Sequence, residues 1–113
     1  MSDAAVDVWI LSLGWRDWIL FGQIEEHLGK AGAADARADS IEWALKYCGD
    51  GTLEVGGYGP SGFTKWPETG SVLEARMRRR LEPDSSDPLE SAMNVMFELT
   101  EAGMALIPED LQY

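Results

Sequence analysis

Basic residues, cysteine and histidine are all scarce in this chain, and each scarcity excludes something. Nine Lys and Arg stand against 20 Asp and Glu in 113 residues, for a formal charge of −11. From Glu82 to Tyr113 there is no Lys or Arg beside eight acids, so the first 81 residues carry 12 acids against 9 bases, or −3. A field of that sign repels phosphate backbones and acidic lipid, and it steers basic protein surfaces towards the chain. Cys48 is the single cysteine, which rules out an intrachain disulfide. Its neighbours Tyr47 and Gly49 supply no positive charge to activate a thiol, and a reducing, cytoplasmic location is expected. His27 is the single histidine and follows Glu25 and Glu26. A metal site needs several converging ligands, and a catalytic base needs a nucleophile and an orienting group. Neither set assembles, so no metal or cofactor is expected and the chain reads as non-enzymatic. No apolar run approaches the roughly 20 residues that span a bilayer. The first 20 residues hold Asp3, Asp7 and Asp17 without an early Lys or Arg, which is not a signal-peptide pattern, and no membrane association is expected.

What is present is enough for one folded core. Apolar residues make up 45% of the chain, with five Trp, three Tyr and three Phe, far from the composition of disordered segments. A chain of this length buries about 65% of its unfolded surface. Val6, Trp9, Ile10 and Leu13 recur at spacings of three and four, which predicts a short first helix. Trp18 to Phe21 is a compact apolar run and predicts a brief extended segment; Ile24 and Leu28 then predict a short helix ending near Gly29. A third helix is predicted from about Asp35 or Asp39 to Tyr47, stopped by Gly49 and Gly51. Asp39 and Glu42 have capping-box spacing there, and Ile41, Ala44, Leu45 and Cys48 share a face.

Leu53 and Val55 alternate with Glu54 as a half-buried strand should. GGYGPSG reads as an elongated Gly-rich tip, and Phe63 and Trp66 continue a second strand, so the passage is a β-hairpin. Ser71 and Glu74 predict a second capping box, opening a helix with a buried stripe of Leu73, Met77 and Leu81. Residues 82–88 form a short acidic Pro/Ser linker. LESAMNVMFEL fits a helix through Leu89, Met93 and Met96 or Phe97, and its end also fits a strand. A strand over 93–99 is preferred, because TEAG then makes a turn or a short helix start. Glu82, Asp84, Asp87 and Glu90 lack the spacing of a calcium loop, and GGYGPSG joins two strands instead of opening a phosphate-binding helix.

That order, with DGTLEVGGYGPSGFTKWP in the place of helix end, strand, wing and strand and FELTEAGMAL as a closing strand and LT-x-x-G phrase, resembles the winged helix-turn-helix superfamily. Trp15, Arg16, Asp17 and Trp18, with Gly62, Phe63, Trp66 and Pro67, also resemble segments of small uncharacterised bacterial winged-helix-like proteins. The resemblance covers about residues 5–107. It implies a single α+β domain over 1–113: a three-helix core, a β-hairpin wing and a C-terminal helix plus strand. In such proteins the second helix of the motif often enters the DNA major groove. Here its outward candidates are Arg37, Asp39, Glu42 and Lys46, two acids against two bases, and the wing tip carries no cation.

The composition therefore favours an acidic protein-binding module, of the antitoxin, immunity-type inhibitor or accessory-regulator kind, that engages a basic protein surface. Its candidate contacts are Trp15 and Arg16, with Trp15 as the exposed tryptophan and the other four in the core, together with Asp39 and Glu42. The alternative is a DNA-binding regulator using Arg37, Lys46, Arg76, Arg78, Arg79 and Arg80. The plainer account of those four clustered arginines is a helix C-terminus whose dipole they meet, with Glu74 and Arg78 paired one turn apart.

Overall fold

Among the described residues, 4–82 and 88–112 of the computed structural model, six α-helices and a four-stranded antiparallel sheet make an α+β fold. Helix α1 (Ala4–Ser12) buries Asp7, Ile10, Leu11 and Ser12, not the expected stripe that included Trp9, which is 40% exposed. The helix is apolar on nearly every side, so periodicity alone does not choose its face. Asp7 does: its carboxylate accepts hydrogen bonds from Trp43 Nε1 at 2.9 Å and from the Tyr47 hydroxyl at 2.7 Å.

Strand β1 (Ile19–Leu20) runs directly into α2 (Phe21–Lys30), where the Gln23 side chain accepts from the Leu20 amide at 2.8 Å. The spacing of Phe21, Ile24 and Leu28 gives α2 one buried face. Helix α3 (Ala36–Gly49) is capped by Asp35, whose carboxylate accepts from the Ala38 amide at 3.1 Å. Asp39 is consequently inside the first turn, and the Asp39–Glu42 capping box does not form. Ser40, Ile41, Trp43, Ala44 and Tyr47 form the buried face, with Leu45 and Cys48 half-buried at its margin. Gly51, at φ +87°, takes the left-handed conformation that turns the chain out of the helix.

The hairpin differs from expectation at its tip. Strand β2 (Leu53–Gly59) continues through Gly56 and Gly57 to pair with β3 (Gly62–Lys65), which leaves only Pro60 and Ser61 between the strands. The glycines belong to the strand and not to a long loop: a Cβ on Gly56 would collide with the Thr64 carbonyl and the Phe63 ring. Helix α4 (Gly70–Leu81) begins after Thr69, and Ser71 lies within it, so the Ser71–Glu74 box is absent as well. Glu74 instead meets Arg78 at 3.0 Å. Met77 and Leu81 are buried and Leu73 is half-buried, as the stripe requires. Most of the expected linker, residues 83–87, lies outside the described residues.

Both readings of the last segment hold over part of it. Residues Pro88–Asn94 are helix α5, and only Met96–Leu99 form β4, so the strand expected over 93–99 is shorter. Strand β4 lies between β1 and β2 in the order β1-β4-β2-β3, with Phe97 opposite Ile19 on one side and Val55 on the other. The LTEAG phrase has a physical explanation. Thr100 accepts from the Gly103 amide at 3.0 Å to cap α6 (Glu101–Met104), and a Cβ on Gly103 would run into the Thr52 carbonyl. The core, with Ile10, Phe21, Ile24, Met77, Val95 and Phe97 fully enclosed, sits between the helices and the inner face of the sheet.

Candidate functional site

The cations that a nucleic-acid-binding reading requires are brought together by α3 and α4, and almost all are already engaged. Arg37 is largely buried: its Nε lies 3.1 Å from Glu25, another nitrogen donates to the Leu81 carbonyl at 3.2 Å, and its guanidinium sits 5.0 Å from the centre of the Phe21 ring. It ties α2, α3 and the end of α4 together. Burial raises the Glu25 carboxyl above its ordinary pKa, against the opposing pull of Arg37. Arg78 donates to Glu42 at 2.8 Å and to Glu74 at 3.0 Å, and those hydrogen bonds hold its proton more firmly than usual. Arg76 bonds Glu68 and stacks 4.0 Å from the centre of the Trp66 ring, while Arg80 meets Glu90 at 2.6 Å. Lys46 lies over the Tyr47 ring at 4.9 Å, and Arg79 is exposed. Pairs this exposed add little to stability, but they cancel the positive field that a phosphate backbone would feel.

The protein-binding candidates are divided. Asp39 and Glu42 are both exposed on α3, close to the Arg78 end of α4. Arg16 is exposed, but Trp15 packs half-buried against the core and is not the surface tryptophan expected. Its turn follows α1 directly, so the ring folds back onto the core. Trp9 has the greater exposure, and its ring makes an edge contact with His27 at 6.3 Å.

A half-open groove of about 550 Å³ lies between α3, β2 and α4. Leu45, Leu53, Trp66, Leu73 and Met77 contribute to its apolar wall, and Glu54, Lys65, Glu68 and Glu74 line it as well. Those acids are already paired with Lys65, Arg76 and Arg78. Cys48 is also in this wall, where burial, reinforced by Asp50 and Glu54, pushes its thiol up to about 12. A thiol so firmly protonated is a poor nucleophile.

Two arrangements escape the linear sequence. One is the buried Asp7–Trp43–Tyr47 network, whose signal was a lone carboxylate at the i−3 and i−4 positions of Ile10 and Leu11. Burial and the hydrogen bond to Asp7 keep the Tyr47 hydroxyl protonated well beyond its ordinary range. The other is a ring cluster that joins the loop before β1 to the hairpin. Trp18 stacks on Phe63 at 6.1 Å and meets Tyr58 edge-on at 6.0 Å, although β4 separates the adjoining β1 from the hairpin.

No family model, curated protein or solved structure matches the chain. Among the described residues, no helix is long and apolar enough to cross a membrane.

Proposed function

We propose that the chain is a non-enzymatic, acidic protein-binding module on a winged-helix-like scaffold, engaging a basic protein surface as an antitoxin, an immunity-type inhibitor or an accessory regulator does. The scaffold reading is supported by the order α1-β1-α2-α3-β2-β3, with β4 joining β1 to the hairpin. The binding reading is carried by one observation, the distribution of ion pairs. Six of the nine cations, Lys30, Arg37, Lys65, Arg76, Arg78 and Arg80, are paired with glutamates of the same chain. The exposed acids Glu98, Glu101, Glu109 and Asp110 lie in a stretch without any basic residue. Intramolecular pairing thus removes the positive patch and leaves the excess of acid facing outward, where it attracts a cationic partner.

Affinity capture of the tagged chain from its native cells, at low and moderate salt and with nuclease treatment, tests this reading. The expected outcome is a basic protein that persists after nuclease and is weakened by salt. Recovery of nucleic acid alone, or of complexes that nuclease dissolves, would replace this function with that of a DNA-binding regulator.

A further inference from the structure

The sheet also has a face turned away from the helices, of which Glu54 and Lys65 reach the rim of the groove beside α4. Alternation along β2 sends Leu53 and Val55 inward and Glu54 and Tyr58 outward; along β4, Phe97 and Leu99 point inward and Glu98 outward, while Gly56 and its partner Met96 are buried on the outer side. The β2–β3 register places Phe63 opposite Tyr58 and Lys65 opposite Gly56, on the same outer side. This face has two parts. One is aromatic: Trp18 makes ring contacts with both Phe63 and Tyr58, and Tyr58 is 70% exposed. The other is acidic: Glu54 stands directly across from Glu98 on the two central strands.

Like charges in direct cross-strand register oppose folding. Lys65 relieves this one only in part, since it reaches Glu54 at 3.4 Å between side chains 55% and 39% exposed, and Glu98 makes no ion pair among the described residues. Two carboxylates in cross-strand register can accept N–H groups of one guanidinium held between them, and the aromatic rings on the same face offer an apolar and π surface to the residues beside it.

We propose that this outer sheet face is the docking surface, and that its occupant is an arginine-bearing segment of a basic protein. One guanidinium lies between Glu54 and Glu98, and the apolar part of the segment covers Tyr58 and Phe63. The assignment rests on the protein-binding function proposed above and gives it a place. Charge complementarity selects this occupant: the face has paired acids with one exposed lysine, on a chain of net charge −11. The groove beside α4 lacks that argument, because it shares Glu54 with this face and its other acids, Glu68 and Glu74, are already matched by Arg76 and Arg78.

The test is an NMR titration of the full chain with a synthetic amidated peptide of alternating arginine and leucine. Backbone and indole shifts should centre on Trp18, Glu54, Tyr58, Phe63 and Glu98. The double variant E54Q/E98Q, which removes a repulsion and so keeps the fold, should weaken the peptide by about tenfold. Tyr58→Ala should weaken it by about fivefold. The control E109Q/D110N, equal in charge change but away from the face, should cost less than about twofold. Shifts centred on residues 101–112 or on α3, with E54Q/E98Q binding as the parent does, would overturn the surface while leaving the module reading intact. A peptide that moves no resonance at low salt would also overturn the surface; the capture experiment decides the module reading separately.

Discussion

On the helical side, Arg37, Arg76, Arg78 and Arg80 each end against a glutamate; on the outer sheet side, Glu54 faces Glu98, and the carboxylates from Glu98 to Asp110 share their stretch with no base. Both sides are rich in acid, yet the first is electrostatically closed and the second open. The formal charge of the chain therefore says less about partners than the location of its pairs. A cluster of arginines within five positions is nearly silent when every neighbouring helix offers a carboxylate, and a modest number of acids dominates where none offers a cation.

The largest expected effect breaks the helical side from within. Asp7 is a carboxylate bonded inside the core, the one buried carboxylate among the described residues, and Asp7→Ala leaves the Trp43 indole and the Tyr47 hydroxyl as buried donors without that partner. A loss of about 4 kcal/mol is expected in urea unfolding, with α1 becoming the first helix to exchange its amides. Cys48 reports from the boundary between the two sides. Its folded thiol stays protonated up to about 12, against an ordinary value of 9.0, so its contribution to stability is complete below pH 9 and is lost as pH rises towards 12. Between pH 9 and 11 the parent should lose about 2–3 kcal/mol more than Cys48→Ala, measured by denaturant titrations at each pH. At pH 8 the native thiol should react with an alkylating reagent about a thousandfold more slowly than a free cysteine, from its smaller thiolate fraction.

A smaller effect opens the closed side. The variant E42Q/E68Q/E74Q removes the glutamates paired with Arg76 and Arg78 and should bind duplex DNA at least about fivefold more tightly than the parent at low salt, with a log–log salt slope of about −2. Fluorescence anisotropy with labelled duplex reads this directly, and equal binding by the two proteins would show that pairing is not what silences the arginines. The smallest effect sharpens the open side: E54Q/E98Q should raise stability by about 0.3 kcal/mol by removing the cross-strand repulsion. A loss of stability instead would mean that those carboxylates already serve the fold.

The elements were legible wherever a hydrophobic period or a glycine decided them. Phe21, Ile24 and Leu28 mark α2, Met77 and Leu81 mark α4, and Leu53 and Val55 point into the core as their alternation requires. What stayed hidden was decided by partners distant in sequence. Asp35 and Asp39 both suit a cap by type, and only the geometry of the turn gives the role to Asp35. Ser71 and Glu74 have capping spacing, yet Arg78 claims the glutamate. Trp9 and Trp15 exchange exposure because α1 rotates to bury Asp7, and that requires Trp43 and Tyr47, some forty residues away. The exposed acids Asp39 and Glu42 were legible from charge and periodicity alone. The outer face was not, since the register that sets Glu54 against Glu98 exists only once β4 is in place.

That placement also bears on how the protein is made. The strand that joins β1 to the hairpin is β4, the last of the four in sequence. A chain leaving the ribosome therefore carries two strand edges without their partner until Met96–Leu99 has emerged. Sheet closure is thus a late event in synthesis, and the acidic outer face does not exist as a surface before it.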